Sequence, residues 1–426
     1  MCVTRKHKSA SVGSRSSGEP SSGKVLHRIG LRPRAGCETC RDIYRQSGQL
    51  ISQIHHSKSV MNEPAAEDSR FLISPGRITL RHLEKVSNPQ SIHGIYPYRG
   101  KMSPIDAAQI ISQFASHSRL LDPFCGTGTI VYEAQHRGLL VTGVDNNPLA
   151  CMIARGKTEP LDKEAVLVHL ENAIADSKFL ADVPRMPTSP AKYFHPTTAD
   201  QIMRILSVSR GFSPFLLACF YGAICLAARA CNGWLWTSTS IGKINPPLRC
   251  IDFNSALQRK VRKHVGFVRG ASPAKIHLHD ARRIHEIIPS HSIDIVYTSP
   301  PYFDALDYTG YYTKLVLEIL GVDRAQIRDG LIQRFATYRK DMRDALLAID
   351  TVVHGKSIVI FVVGNRMVHK KLVRGSDFFS DIAPWANPYV IEREYTNTAS
   401  ELWDSINATR RKEQVIVWNL AAGGRK

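Results

Sequence analysis

From Ile92 onward, apolar and polar positions fall into blocks that alternate between two periods. Arg119-Leu-Leu-Asp122 predicts a short strand, and Thr129 to His136 follows with helical spacing. Leu139 to Asp145 predicts a second strand, and Pro148 to Arg155 opens a second helix. Lys275 to Asp280 and Ile293 to Thr298 predict further strands; Ser357 to Val363 is an entirely apolar one, and Gln414 to Trp418 is the last. Strands that alternate with helices imply an α/β fold with a mostly parallel sheet covered on both faces. The stretch from Tyr389 to Leu420 holds two strand-like runs with no clear helix between them, which predicts an antiparallel hairpin at a sheet edge.

Between about 160 and 270 the alternation fails. Gly211 to Ala228 is uncharged and long enough to raise the membrane question. Ser213 and Pro214 at its start, its many small residues, and Arg210 and Arg229 on either side favour a buried helix starting near Pro214, so no membrane partner is expected. Trp234-Leu-Trp236 follows, and then the basic helical run Gln258 to His264, which includes Arg259, Lys260, Arg262 and Lys263. An insertion of this kind is where a substrate-recognition element would sit; a structural cap with a solvated basic face is the plainer alternative.

Charge adds a partner class. Fifty-six Lys and Arg stand against 37 Asp and Glu, a formal net charge of +19. That balance suits a polyanion such as nucleic acid, or an anionic membrane surface. Residues 1 to about 36 carry eight of the basic residues against the single acid Glu19, with almost no apolar periodicity; they predict a disordered basic tail. The charged start without an apolar segment behind it, and nine scattered cysteines, predict a cytoplasmic protein. Cys37 and Cys40 form a lone C-x-x-C, two of the four ligands a structural zinc needs, so no metal is expected.

Two motifs carry chemistry. Asp122-Pro-Phe-Cys-Gly-Thr-Gly-Thr129 lies between a predicted strand and a predicted helix, where Gly126 and Gly128 allow a tight turn with N–H groups close to a ligand. Position 131 is Val, so the third glycine of a dinucleotide fingerprint is absent, and no G-K-[ST] follows as in a phosphate loop. Asp145 ends the next strand 23 residues after Asp122, where a carboxylate can accept both hydroxyls of a ribose. These parts fit a nucleoside-bearing cofactor without a pyrophosphate. The second motif, Thr298-Ser-Pro-Pro-Tyr302, also ends an apolar strand. Two prolines fix the backbone and leave carbonyl acceptors beside the Ser299 hydroxyl, while Tyr302 adds a flat ring; the set suits a planar base with an exocyclic amino group.

Together, D-P-F-C-G-T-G-T and T-S-P-P-Y resemble the S-adenosylmethionine-dependent amino-methyltransferases of DNA, which act on cytosine N4 or adenine N6. The resemblance covers about 92 to 160 and 275 to 420. It implies a Rossmann-like methyltransferase sheet of seven strands with an antiparallel terminal hairpin and a helical insertion. It divides the chain into a tail (1–65), a cofactor-binding first part of the core (66–160), the insertion as candidate target-recognition region (161–270) and a catalytic second part (271–426). It implies that Asp122, Pro123, Phe124, Gly126, Gly128 and Thr129 line the methionine end of S-adenosyl-L-methionine, with Tyr98 and Lys101 packed over it. Asp145 and Asn146 would hold the ribose and Asp280 would lie near the adenine. Ser299, Pro300, Pro301 and Tyr302 would form the catalytic pocket, with Arg259, Lys260, Arg262 and Lys263 on double-stranded DNA.

The order, with Ser299 coming 171 residues after Gly128, leaves room for a recognition region between the motifs. Serine at the first catalytic position is associated mainly with cytosine-N4 transfer, and Asp or Asn with adenine-N6. Rival readings are an adenine-N6 enzyme, an RNA methyltransferase of the tRNA guanine-N2 type, a methylase of protein or small-molecule amines, and a nucleic-acid-binding protein with an inactive core. A nucleoid-associated place in the cytoplasm and a cognate restriction endonuclease complete what the resemblance implies.

Overall fold

A computed structural model describes residues 77–80, 91–98, 102–234, 243–268, 274–301, 307–368, 371–395 and 411–426. The basic tail, Cys37, Cys40, Lys101, Trp236 and Tyr302 lie outside the described residues. A seven-stranded sheet organises the rest. Its strands are β1 (Arg119–Asp122), β2 (Leu140–Asp145), β3 (Lys275–Leu278), β4 (Ile293–Thr298), β5 (Val353–Gly364), β8 (Tyr389–Tyr395) and β9 (Arg411–Asn419), in the order β3-β2-β1-β4-β5-β9-β8. The two short strands β6 (Arg366–Val368) and β7 (Lys371–Val373) pair separately.

β3, β2, β1, β4 and β5 run parallel, and β9 enters antiparallel between β5 and β8. The α/β class, the parallel sheet and the antiparallel terminal pair are those the hydrophobic pattern predicts. Both faces are buried, which is why the strands read as continuous apolar runs. Leu120, Ile295, Tyr297, Ile360 and Val362 pack on one face, and Leu121, Val296, Phe361 and Val363 on the other.

The first of these layers includes helices α1 (Pro104–Ile111), α2 (Thr129–His136) and α3 (Pro148–Thr158). In the helical interval come α4 (Lys163–Lys178), α5 (Pro196–Val208), α6 (Pro214–Cys231) and α7 (Phe253–Val265). After β4 follow α8 (Tyr311–Ile319), α9 (Arg324–Gly330), α10 (Phe335–Val352) and α11 (Gly375–Ile382). The last two join the opposite face through Tyr338, Leu346, Ile349 and Phe379.

α6 starts where the sequence places it. The Ser213 hydroxyl accepts from the Leu216 N–H at 3.3 Å, and Pro214 occupies the first turn. The helix is apolar and long enough to cross a membrane, yet 83% of it is buried inside the fold. Its glycine permits a close approach: a Cβ on Gly222 would lie 1.9 Å from the Ile95 carbonyl oxygen.

Four predicted strands change length: β2 begins one residue later, at Leu140, β9 spans Arg411–Asn419, and β5 and β3 also shift. β5 begins at Val353 rather than Ser357 because the register shifts between Ile293 and Ile295, letting Val353 pair with Ile293. β3 stops at Leu278, since Asp280 turns to cap the short 3-10 helix Ala281–Glu286 through the Arg282 N–H at 2.9 Å.

Candidate active site

The C-terminal ends of β1, β2, β3 and β4 open onto one cleft. This is the edge at which open α/β sheets bind ligands. Asp122 closes β1, and its Oδ1 accepts from the Phe124 N–H at 3.2 Å and from the Thr298 hydroxyl at 2.6 Å. Burial pushes the Asp122 carboxyl up to about 7, against those two donors and with the Asp145 charge adding to the rise.

The turn after Asp122 is built by its glycines. Cys125 N–H bonds the Val144 carbonyl at 2.9 Å, carrying the β1–β2 pairing past the strand end. Gly126 (φ 50°) and Gly128 (φ 73°) both take the left-handed conformation, which costs glycine least. Gly126 N–H donates to Asp145 Oδ2 at 2.8 Å, and Asn147 N–H donates to Asp145 Oδ1 at 2.8 Å. Asp145 is thereby fixed at the cleft with each oxygen holding one backbone donor and retaining acceptor capacity. Burial raises its carboxyl to about 6, so it is mostly ionised at neutral pH.

Asp280 also lines the cleft, with its carboxylate gripped by Arg282, whose Nε reaches both oxygens at 3.0 Å. Arg282 in turn reaches Asp341 at 2.8 Å. The one cation is shared by the two carboxylates, so it offsets the charge of Asp280 only in part.

Of the second motif, Ser299 and Pro301 face the cleft. The Tyr338 hydroxyl of α10 donates to the Pro301 carbonyl at 2.6 Å, pinning the rigid turn to a buried ring. Pro300 departs from expectation: it is buried and absent from the cleft wall, because the turn directs its ring inward.

Tyr98, Asp122, Pro123, Phe124, Gly126, Thr129, Asp145, Asn146 and Asp280 all line the cleft. Gly128 does not; it sits behind the wall, where a Cβ would come within 2.9 Å of the Ala154 Cβ, so its contribution is to let α2 and α3 approach. Cys125 lines the cleft as a thiol, since burial pushes its pKa well above the usual range, which disfavours a nucleophilic role.

Ile130, Leu331 and Ile332 had no local sequence signal. They line the cleft together with Met102 and Tyr308, from the segments that resemble the family upstream of the glycine turn and downstream of Ser299. The Tyr308 ring stacks near Tyr98, with centroids 6.5 Å apart and planes at 28°. Leu331 and Ile332 are brought in by α9, whose end is tied to β2 by Asn146 Nδ2 donating to the Gly330 carbonyl at 2.6 Å.

The basic run splits between two environments. Arg259, Arg262 and Lys263 are exposed on α7, with Arg262 3.5 Å from Glu171. Lys260 corrects the expectation of four surface cations: it is buried, donates to the Gly94 carbonyl at 3.2 Å, and is pushed down to about 8 by burial. Amphipathic spacing turns it inward, away from any surface phosphate. Among the described residues, no group of three or more His, Cys, Asp or Glu is placed to hold a metal ion.

No protein-family model matches the chain. Sequence similarity points to Type II methyltransferases. M.MjaII of Methanocaldococcus jannaschii is 30% identical over 109 residues, covering 24% of this chain and 20% of that protein. M.AvaI of Nostoc sp. is 22% identical over 331 residues, 68% of this chain and 67% of its own. The chain thus matches about a fifth of the first and two thirds of the second. Among solved structures, the rRNA methyltransferase aviRa of Streptomyces viridochromogenes aligns with a TM-score of 0.29 at 11% identity, over 77% of this chain and 90% of that one. At low identity, then, the chain is similar to Type II methyltransferases over two thirds of its length.

Proposed function

We propose that this chain methylates an exocyclic amino group of a base in duplex DNA, with cytosine N4 as the target, using S-adenosylmethionine. The observation that carries this reading is the junction of the two motifs: the Thr298 hydroxyl bonds the Asp122 carboxylate, so the glycine turn and the Ser299–Pro301 turn share one cleft. Similarity to Type II methyltransferases favours DNA over the RNA, small-molecule and inactive alternatives.

The donor set fits the cofactor. Asp145 offers acceptors for ribose hydroxyls, and Leu331 and Ile332 offer apolar surface for a purine beside Asp280. Tyr98, Pro123, Phe124, Gly126 and Thr129 line the wall of the glycine turn, where a methionine chain would lie. When bound, S-adenosylmethionine supplies an electrophilic methyl group on a sulfonium.

The amine is a poor nucleophile because its lone pair is delocalised into the ring. Ser299 Oγ and a proline carbonyl would accept its two N–H groups and localise that pair. The Pro301 carbonyl, which lies at the cleft and keeps a second lone pair beside the Tyr338 bond, is the second acceptor in this scheme. Holding two reactants in line contributes up to about 7–11 kcal/mol in favourable cases. The amine nitrogen would take the methyl carbon, with the C–S bonding pair staying on the cofactor, and would pass one N–H proton to solvent by way of the Ser299 hydroxyl. Tyr302, next in sequence, would stack on the flipped base. The exposed Arg259, Arg262 and Lys263 and the basic tail would attract phosphates, and a cognate endonuclease and a nucleoid location follow from the same reading.

Transfer of labelled methyl to duplex DNA, followed by nucleoside analysis, tests it. N4-methylcytosine is expected, and Ser299→Ala should remove it while cofactor binding persists. Label in RNA alone, or full activity of Ser299→Ala, would overturn the assignment.

A further inference from the structure

α6 lies antiparallel to α3. Its start meets the end of α3, where a Cβ on Gly156 would fall 2.5 Å from the Pro214 carbonyl oxygen. Farther on, Tyr221 shares a small cavity with Pro148, Leu149 and Met152 at the beginning of α3. α3 begins just after the end of β2, at the cleft edge of the sheet. α6 therefore runs toward that edge, continuing ten residues past Tyr221, roughly 15 Å at 1.5 Å per residue. Its Gly222 packs on the Ile95 carbonyl, three residues before the cleft-lining Tyr98.

The helix ends in a strained corner. Gly233 (φ 65°) and Trp234 (φ 65°) are consecutive left-handed residues. A bulky residue in that region is unusual and costs about 1–3 kcal/mol. The corner is held by Trp234 N–H on the Arg229 carbonyl at 2.8 Å, and by Asn232, which bonds the backbone of Lys243 at 2.8 Å and of Asn245 at 2.7 Å. The ring gains no burial for this strain: Trp234 is 53% exposed.

Two arginines stand at the corner. The Arg229 guanidinium carbon lies 5.3 Å from the ring centroid, and the exposed Arg249 guanidinium lies over the Gly233 turn, 3.8 Å from where a Cβ would stand. Among the described residues, ion pairs engage Arg204 and Arg262 of the same helical interval but neither Arg229 nor Arg249. A fixed, exposed aromatic beside Arg229, with the exposed Arg249 over the adjoining turn, matches the two surfaces of nucleic acid, phosphate and base.

We infer that Arg229, Trp234 and Arg249 form a DNA-contacting corner where α6 runs out past the cleft edge of the sheet, the arginines on phosphates and the indole against a base. The choice of DNA rests on the proposed function; the surface itself does not. The test is binding of the full chain to a labelled DNA duplex over a salt series, alongside thermal melting, cofactor binding and methyl transfer.

Trp234→Gly relieves the left-handed strain, so melting should hold or rise while duplex affinity falls about five-fold or more. Arg249→Gln, at an exposed site, should lower the slope of log affinity against log salt by about one. Wild-type affinity in both variants overturns the corner even if methyl transfer is intact. Loss of affinity in the variants of a chain that transfers no methyl group overturns the proposed function and leaves the corner standing. A wild-type chain that binds RNA and not the duplex overturns the corner as a DNA contact.

Discussion

The hydroxyl of Thr298 donates to the carboxylate of Asp122 over 2.6 Å, joining strand ends that lie 176 residues apart in the chain. Both side chains are buried, and the bond sits where β1 and β4 lie side by side as parallel neighbours. Thr298→Val keeps the shape and removes the donor. The buried acceptor left short of a partner should cost about 1–3 kcal/mol, read as a lower denaturant midpoint.

The raised Asp122 carboxyl has a pH signature. Its folded value of about 7 exceeds the 3.8 of an unperturbed Asp, so the folded state binds more protons between those limits. Its contribution to stability is therefore complete below 3.8 and is lost as pH rises through about 7. Asp122→Asn should flatten that part of the stability profile measured by urea unfolding across the same range.

The two glycines of the turn should respond differently to a methyl group. Gly128→Ala meets both a left-handed backbone and the Ala154 Cβ at 2.9 Å, for a loss of about 1–2 kcal/mol from conformation and roughly 1–3 kcal/mol from overpacking. Gly126→Ala finds only Tyr98 Cε1 at 3.6 Å, so it should cost less stability, and its effect should appear in cofactor affinity. Thermal melting with and without S-adenosylmethionine separates the two; equal melting losses would refute the distinction.

Asp145 should make cofactor binding pH-dependent. Its carboxyl titrates near 6, and protonation removes acceptors that ribose hydroxyls would use. Affinity for S-adenosylmethionine, followed by calorimetry, should weaken as pH falls through that value. In Asp145→Asn it should be weak throughout and indifferent to pH.

Lys260 should destabilise the fold near neutrality. Its folded value of about 8 lies below the ordinary 10.5, so the unfolded chain binds more protons between those limits and stability rises with pH there. Lys260→Met should abolish that rise in denaturant midpoints taken on either side of the window.

How far the sequence spoke differs by element. β1, β4 and α2 were legible to the residue, because a strand buried on both faces reads as an unbroken apolar run and the glycine turn marks where it ends. Asp122, Asp145 and Ser299 were legible because each sits at a strand end beside turn-forming residues. Leu331 and Ile332 were not, since nothing near them in sequence differs from an ordinary loop or helix end. They reach the cleft because Asn146 ties the end of α9 to β2.

The basic residues mark the same boundary. Alone, the sequence determined the alternation of elements, the two motifs and the net charge of +19, all properties of local order and composition. Tertiary packing decided which cations face water. It buried Lys260 beneath Gly94, left Arg249 beside the strained corner at Trp234, and turned Pro300 inward while Ser299 faced the cleft. The physical reason is that side-chain environment depends on what packs against an element, and those partners come from distant parts of the chain.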